Sequence, residues 1–482
     1  MHLTVIARVL GLLMMIFSMT LVPPFLVSLL YSDGAAVAFL SALGITFGVG
    51  FLVWLPFHNH KQELKTRDGF VITVLFWLVL AFSGCLPLML AEQPGLSFTD
   101  AFFESLSGWT TTGATVITGL DNLPESILWY RQQLQWLGGM GIIVLAVAVL
   151  PMLGIGGMQL FRAETPGPVK DSKLTPRITE TAKALWYIYL SLTIACAVSY
   201  WLAGMSAFDA IGHSFATVAI GGFSTHDASL GYFDSPAIES IAILFMLISV
   251  LNFGLHFYAW KQKSLLHYFQ DSELKFLLWI LAGGALLTVS ALWLTETYTL
   301  SDSVRYGLFE LVSVATTTGF GTADFSSWPI FIPVLLFMMA FIGGCAGSTG
   351  GGMKVMRILL IYKQGIREIR RLIHPNAIIP VKINKRPVNE RVMEAVWGFF
   401  SVYVLTYMVM MVSLLATGLD HVTAFSAVGA CLNNLGPGLG DVAAHYGDIS
   451  DAAKWILSFT MLLGRLEIFT FLVILSPAFW RS

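Results

Sequence analysis

Apolar stretches long enough to cross a bilayer recur along the chain, separated by short polar connections. At roughly 20 apolar residues per crossing, the pattern predicts about ten spans. Two come first, near 3–30 and 36–57, in an N-terminal region covering 1–60. The rest sorts into four units, at 69–160, 183–262, 274–364 and 392–482, each reading as helix, half-helix with a turn, helix. Identity between the units is slight, and the shared order of elements is the sign of an internal repeat. The expected fold is an all-α polytopic membrane protein, with two N-terminal helices and four pseudo-symmetric helix–pore-loop–helix repeats around a central pore. The first stretch lacks a small-residue cleavage site and is too long for a signal-peptide core, so it reads as a spanning helix.

Inside each unit a polar turn built on glycine interrupts the apolar sequence. The four are Thr110-Thr111-Thr112-Gly113-Ala114, Ala219-Ile220-Gly221-Gly222-Phe223, Thr316-Thr317-Thr318-Gly319-Phe320 and Asn433-Asn434-Leu435-Gly436-Pro437. Each ends a weakly amphipathic segment that opens at Asp100, Asp209, Tyr306 or Thr423, and the offset from that residue to the key glycine is the same in all four. Non-helical backbone at membrane depth persists only where it lines water or is buried in protein. Taken singly, each turn would be a joint between re-entrant helices. Four at a common offset suggest a ring of carbonyls around an ion path.

Hydrophobic residues make up 56% of the chain and charged residues 12%, with a mean hydropathy of +0.75. Soluble domains carry about 25% charged residues. The net charge of −2 gives no sign of a nucleic-acid partner. Cys85, Cys196, Cys345 and Cys431 are far apart and lack CxxC spacing, so neither disulfides nor a metal site are expected.

Charge also sets the orientation. With the N-terminus inside, the inner loops fall near 58–68, 161–183, 261–275 and 357–392. They hold Lys61, Lys65 and Arg67; Arg162, Lys170, Lys173, Arg177 and Lys183; Lys261, Lys263 and Lys275; and a long basic run from Arg357 to Arg391. Arg131, Arg305 and Lys454 fall outside. This positive-inside bias puts both termini in the cytoplasm and the four turns on the outer side. Asp100, Glu104, Asp121, Asp209, Asp227, Glu310, Asp324, Asp441 and Asp448 share that side. Individually most of these acids read as solvated loop residues, but an acidic face concentrates cations.

A dehydrated monovalent cation needs oxygen ligands at fixed distance, and backbone carbonyls supply them without a net charge that would hold it too tightly. Glycine best tolerates the dihedrals required, the place taken by Gly113, Gly222, Gly319 and Gly436. The residues before them would present the carbonyls: Thr111 and Thr112, Ile220 and Gly221, Thr317 and Thr318, Asn434 and Leu435. Each short helix should aim the negative end of its dipole at the ion.

Two more features stand out. The run Gly343 to Gly352, with Gly347, Gly350 and Gly351 inside it, cannot be a stable helix interior. It lacks the Gly-Lys-Ser/Thr of a phosphate loop. It should face the cavity below the turns, as a static kink or a mobile gate. Arg465 falls inside the last apolar span, where an arginine needs water or a partner. It would oppose cations from the cavity wall or be buried against carbonyls. Glu467 lies two positions on, on another face. The basic segment from Lys363 to Arg391 would lie on anionic lipid or dock a cytosolic partner.

These motifs resemble the bacterial Trk/Ktr potassium-uptake family. The resemblance rests on Asp100-Ala-Phe-Phe-Glu104 leading to Gly113-Ala-Thr115, and on Asp209-Ala-Ile-Gly-His213 leading to Gly221-Gly222-Phe-Ser224. It rests also on Gly343 to Gly352, on Asn433-Asn-Leu-Gly-Pro-Gly438 and on Gly464-Arg465-Leu-Glu467. It spans essentially the full length and is strongest to the Trk-H membrane subunit, with its two extra N-terminal helices. The resemblance implies a fourfold pseudosymmetric pore in the inner membrane, a homodimer, and a cytosolic nucleotide-binding regulator of the Trk-A type. It also implies K+ as the transported ion, with no organic cofactor on this chain. Thr318-Gly-Phe-Gly321 comes nearest to a potassium-channel loop. Thr115, Ser224 and Pro437 depart from it, which predicts uneven coordination.

The expected function is therefore potassium uptake through a gated pore. The alternative, a proton- or sodium-coupled symporter, would want an acid in the membrane interior, for which Glu467 is the deep candidate. An enzyme would need convergent His, Asp or Glu residues within the spans, whereas His213 and His256 read as isolated core residues.

Overall fold

The computed structural model describes residues 2–59, 66–144, 178–329, 331–466 and 468–481. The expected inner-loop residues Lys61, Lys65, Arg162, Lys170, Lys173 and Arg177, together with Glu467 and the tail of the first unit, lie outside them. Helices α1 (Leu3–Met19) and α2 (Val22–Tyr31) make up the first apolar stretch, and α3 (Ala36–Trp54) the second. Pro23 and Pro24 open α2, where proline is tolerated but continuation of α1 is not. Helices α1 and α3 pack directly. At their crossing a Cβ on Gly11 would strike the Gly50 carbonyl, the close small-residue packing that membrane helices use.

The first unit is α4 (Thr66–Gly84), the short helix α5 (Phe98–Trp109) and α6 (Glu125–Val144). The second is α7 (Ile178–Leu202), α8 (Ala207–Ala219), α9 (Pro236–Ser249) and α10 (Phe253–Gln262). The third is α11 (Ser272–Leu294), α12 (Leu300–Ala315), α13 (Phe331–Ile342) and α14 (Val355–Ile373). A two-stranded hairpin, β1 (Lys382–Ile383) with β2 (Arg386–Pro387), follows. The fourth unit is α15 (Glu390–Leu415), α16 (His421–Leu432), α17 (Asp451–Arg465) and α18 (Ile468–Leu475).

Six described helical stretches are long and apolar enough to cross a membrane, or eight if two bent pairs count as spans. The bent pairs revise the expectation of continuous crossings. α9 and α10 meet at 90°, and α17 and α18 at 113°. The expected continuous span around Arg465 is thus broken, with Arg465 at the end of α17. The third unit breaks between Ile342 and Val355, across the glycine-rich run.

The short helices start where their sequence caps them. Ser97, Ser206 and Thr299 each accept the N–H of the aspartate three residues on, Asp100, Asp209 or Asp302, while Asp420 caps α16. This reciprocal cap puts the start of α12 at Leu300, earlier than the Tyr306 opening inferred from the common offset. Packing between units is cyclic. The helix after each turn lies against the short helix of the next unit: α6 on α8, α9 on α12, α13 on α16, and α17 back on α5. Large apolar side chains such as Leu202, Trp279, Leu286 and Val412 remain exposed on the outside of this ring, as a lipid-facing surface requires.

Candidate functional site: four turns over a glycine loop

Each short helix ends in the same way. The residue two positions before the key glycine is left-handed: Thr111 at φ 51°, Ile220 at 54°, Thr317 at 65° and Asn434 at 52°. The following N–H groups, of Thr112, Gly221, Thr318 and Leu435, reach back to Ser107, Ala216, Ser313 and Ala430 at 2.8–2.9 Å. That bond belongs to the Schellman cap, which usually employs glycine. β-Branched Thr111, Ile220 and Thr317 are strained there, and such strain persists only where the surroundings over-determine it. Gly113, Gly222, Gly319 and Gly436 then take φ of 80°, 79°, 82° and 95°.

The surroundings are the other turns. A Cβ on Gly113 would fall on the Gly221 carbonyl oxygen, one on Gly222 on that of Thr318, and one on Gly319 on that of Leu435. One on Gly436 would press against the Thr112 oxygen. The order runs from the first turn to the fourth and back to the first, so the twelve residues expected at the site are brought into one closed ring. The ring is chemically uneven. Gln135 Nε2 donates to the Gly221 oxygen at 2.6 Å, and the Tyr446 hydroxyl donates to the Gly436 oxygen at 2.7 Å. Asn434 Nδ2 donates to Thr112 Oγ1 at 2.9 Å.

Behind the ring, polar side chains of the short helices hold the chain that leaves each turn. Glu104 accepts from Thr115 Oγ1 at 3.0 Å, Val116 N at 2.9 Å and Arg131 Nε at 2.8 Å. Arg131 also donates to the Ser224 oxygen at 3.2 Å and lies over the Phe223 ring at 4.3 Å, joining the first two units. His213 Nε2 meets Ser224 Oγ at 2.9 Å. Glu310 accepts from the N–H groups of Thr322 at 2.7 Å and Ala323 at 3.1 Å. In the fourth unit Ser426 Oγ accepts from Leu439 N at 2.8 Å.

The reading of these acids as solvated therefore fails for Glu104 and Glu310, which are 1% and 0% exposed. It holds for Asp227, Asp324, Asp441 and Asp448, which are exposed. Sequence reasoning missed Glu104, Arg131, Gln135 and Glu310, and took His213 for an isolated core residue. A signal was present: Glu104, His213 and Glu310 stand at one common offset before their glycines. The three cations that broke the positive-inside pattern each meet an acid. Arg131 pairs with Glu104, Arg305 with Glu239 and Asp234, and Lys454 with Asp100. In the loop after the second turn His226 stands between Asp121, 2.5 Å from its Nδ1, and Asp209, 3.4 Å from its Nε2. Burial disfavours the imidazolium, but the two carboxylates outweigh it and raise the His226 pKa.

The glycine loop sits at the carbonyl ends of the short helices. The Gly351 N–H donates to Thr317 Oγ1 at 2.7 Å, and Thr349 Oγ1 donates to the Val218 oxygen at 3.2 Å. The Gly352 N–H donates to the Asn433 oxygen at 3.1 Å. Gly343, Gly347 and Gly352 have positive φ. A Cβ on Gly350 would crowd the Thr316 oxygen, and one on Gly351 would overlap that of Asn433. Arg465 Nη1 donates to the Thr349 oxygen at 3.1 Å, so the two membrane features singled out in the sequence touch. Arg465 Nε and Nη2 are buried with no partner among the described residues. Lys354, whose place was left open, bonds the Gly350 oxygen within the loop.

The family model described as TrkH, cation transport protein, matches residues 36–482. The Trk system potassium uptake protein TrkH of Halomonas elongata is 64% identical over 482 residues, covering 100% of both chains. Its counterpart in Escherichia coli strain K12 is 55% identical over 483 residues, again covering 100% of both. The crystal structure of the potassium transporter TrkH from Vibrio parahaemolyticus superposes with a TM-score of 0.93 at 56% identity, covering 100% of both chains.

Proposed function

The chain belongs to the TrkH family of cation transport proteins, and from that premise we propose that it takes up potassium through a gated pore whose selecting element is the ring of four turns. The observation that carries this reading is the closed cycle of glycine-to-carbonyl contacts, which joins the four strained turns into one ring. Potassium is the ion named for the relatives. The Gly343–Gly352 loop and Arg465 form the gate in this reading, a cationic plug on the inner side of the ring. The cell's inner membrane, cytoplasmic termini, a homodimer and a nucleotide-binding regulator docked on the basic inner segment complete the proposal.

A second reading, coupling to protons, has one observation in its favour. Glu310 is buried beside the third turn and its Oε2 has no partner among the described residues. Rubidium uptake into liposomes holding the purified chain, with and without a pH gradient, tests both. Uptake that potassium competes away and sodium does not is expected. Absence of any cation uptake would sink the pore, and uptake strictly dependent on the pH gradient would favour coupling.

A further inference from the structure

The glycine loop is held from the inner side as well as from the ring. Asp271 caps α11, its carboxylate accepting the Leu274 N–H at 2.9 Å. Two residues on, Glu273 is 3% exposed, and its Oε1 accepts the Ala346 N–H at 2.8 Å. The same carboxylate faces the Met356 N–H and the Lys354 ammonium. Lys354 stands at the N-cap position of α14 and provides no side-chain cap. One side chain from α11 thus serves both ends of the break, Ala346 within it and the first turn of α14 beyond it.

The start of α11 is also gripped from the cytosolic side. Asn384 and Lys385, between β1 and β2, have φ of 47° and 67°, the geometry of a two-residue hairpin turn. The Ser272 N–H donates to Asn384 Oδ1 at 2.8 Å, and the Asn384 N–H donates to Ser272 Oγ at 3.2 Å. Val381 and Ile383 of the hairpin share an apolar cluster with Ala346 and Met356. Hairpin, helix start and loop are therefore one connected body.

We propose that Glu273 is the positioning residue that latches the glycine loop shut, and that the hairpin at 382–387 sets this latch from the inner face. This rests on the reading of Gly343–Gly352 as the gate. Glutamine at 273 keeps an acceptor for the Ala346 N–H, and alanine removes it.

The test uses the full chain in liposomes and reads two quantities: rubidium uptake, and the rate at which Cys345 reacts with a small thiol reagent, site by site in a mass spectrometer. Cys345 adjoins Ala346 and is buried, as are Cys85, Cys196 and Cys431, which serve as internal controls. Glu273→Ala is expected to raise both uptake and Cys345 labelling by up to about tenfold, the scale of one hydrogen bond, without changing the other three cysteines. Glu273→Gln should fall between parent and alanine. Asn384→Ala, outside the membrane helices, should give a smaller rise in both quantities. Deleting Gly350 to Gly352 separates the two ideas. If that deletion leaves uptake at the parental rate, the loop is not the gate and the latch falls with it. If the deletion raises uptake while the Glu273 and Asn384 variants leave uptake and Cys345 labelling unchanged, the gate stands and the latch is overturned. Should Glu273→Ala fail to fold, Glu273→Gln and Asn384→Ala carry the same comparison.

Discussion

Arg131 is a guanidinium 1% exposed inside a membrane protein, and its neighbours explain how it is tolerated. It donates to Glu104, to Thr115 and to the Ser224 oxygen. Removing one member of such a buried pair strands the other charge, at a cost of about 3–5 kcal/mol, whereas removing both is far milder. Thermal unfolding in detergent should therefore show large losses for Glu104→Gln and Arg131→Met, and a double variant more stable than their sum implies. Additive losses would contradict this. His226 behaves differently because it is only partly buried and stands between two carboxylates. Its pKa is raised above the unfolded value of about 6.5, so its ion pairs stabilise fully below that value and lose their effect as pH rises through the folded pKa. The stability gap between parent and His226→Asn should be widest in acid and narrow in alkali; a gap independent of pH would contradict the assignment. At this scale the sequence was readable where chemistry repeats, as in the glycines. It was misread where burial decides, since Glu104 and Glu310 look like any outer-loop acid until the fold encloses them.

At the level of elements, capping explains both the success and the error of the sequence reading. Ser97-Phe-Thr-Asp100 and Ser206-Ala-Phe-Asp209 start their helices where the offset placed them. The same box at Thr299 to Asp302 lengthens α12 at its N-terminal end without moving its turn. The break at Gly343 was legible because glycine signals it. The bends after Ser249 and Arg465 were read through, because their signals are single residues inside apolar sequence: Asn252, which caps α10, and Gly464 before Arg465. Replacing Arg465 with alanine removes one side of the Arg465–Thr349 contact, and deleting Gly350 to Gly352 shortens the loop next to Thr349. Either change should raise liposome rubidium flux severalfold while leaving its preference over sodium intact. Flux at the parental level in both variants would make the loop a static kink.

For the molecule as a whole, four weakly similar units close into one cycle, each short helix against the post-turn helix of the preceding unit and each glycine against the neighbouring carbonyl. Side chains at Gly113, Gly222, Gly319 or Gly436 would need the space that a neighbour's oxygen occupies, and would meet a backbone φ that they rarely adopt. The decisive measurement is therefore rubidium and sodium uptake by the four single Gly→Ser variants in liposomes, each first shown to be folded. Loss of uptake or entry of sodium is predicted at these positions, to unequal degrees because Gln135, Asn434 and Tyr446 brace the ring unevenly. Parental rate and parental selectivity in all four variants would contradict the ring as the selecting element.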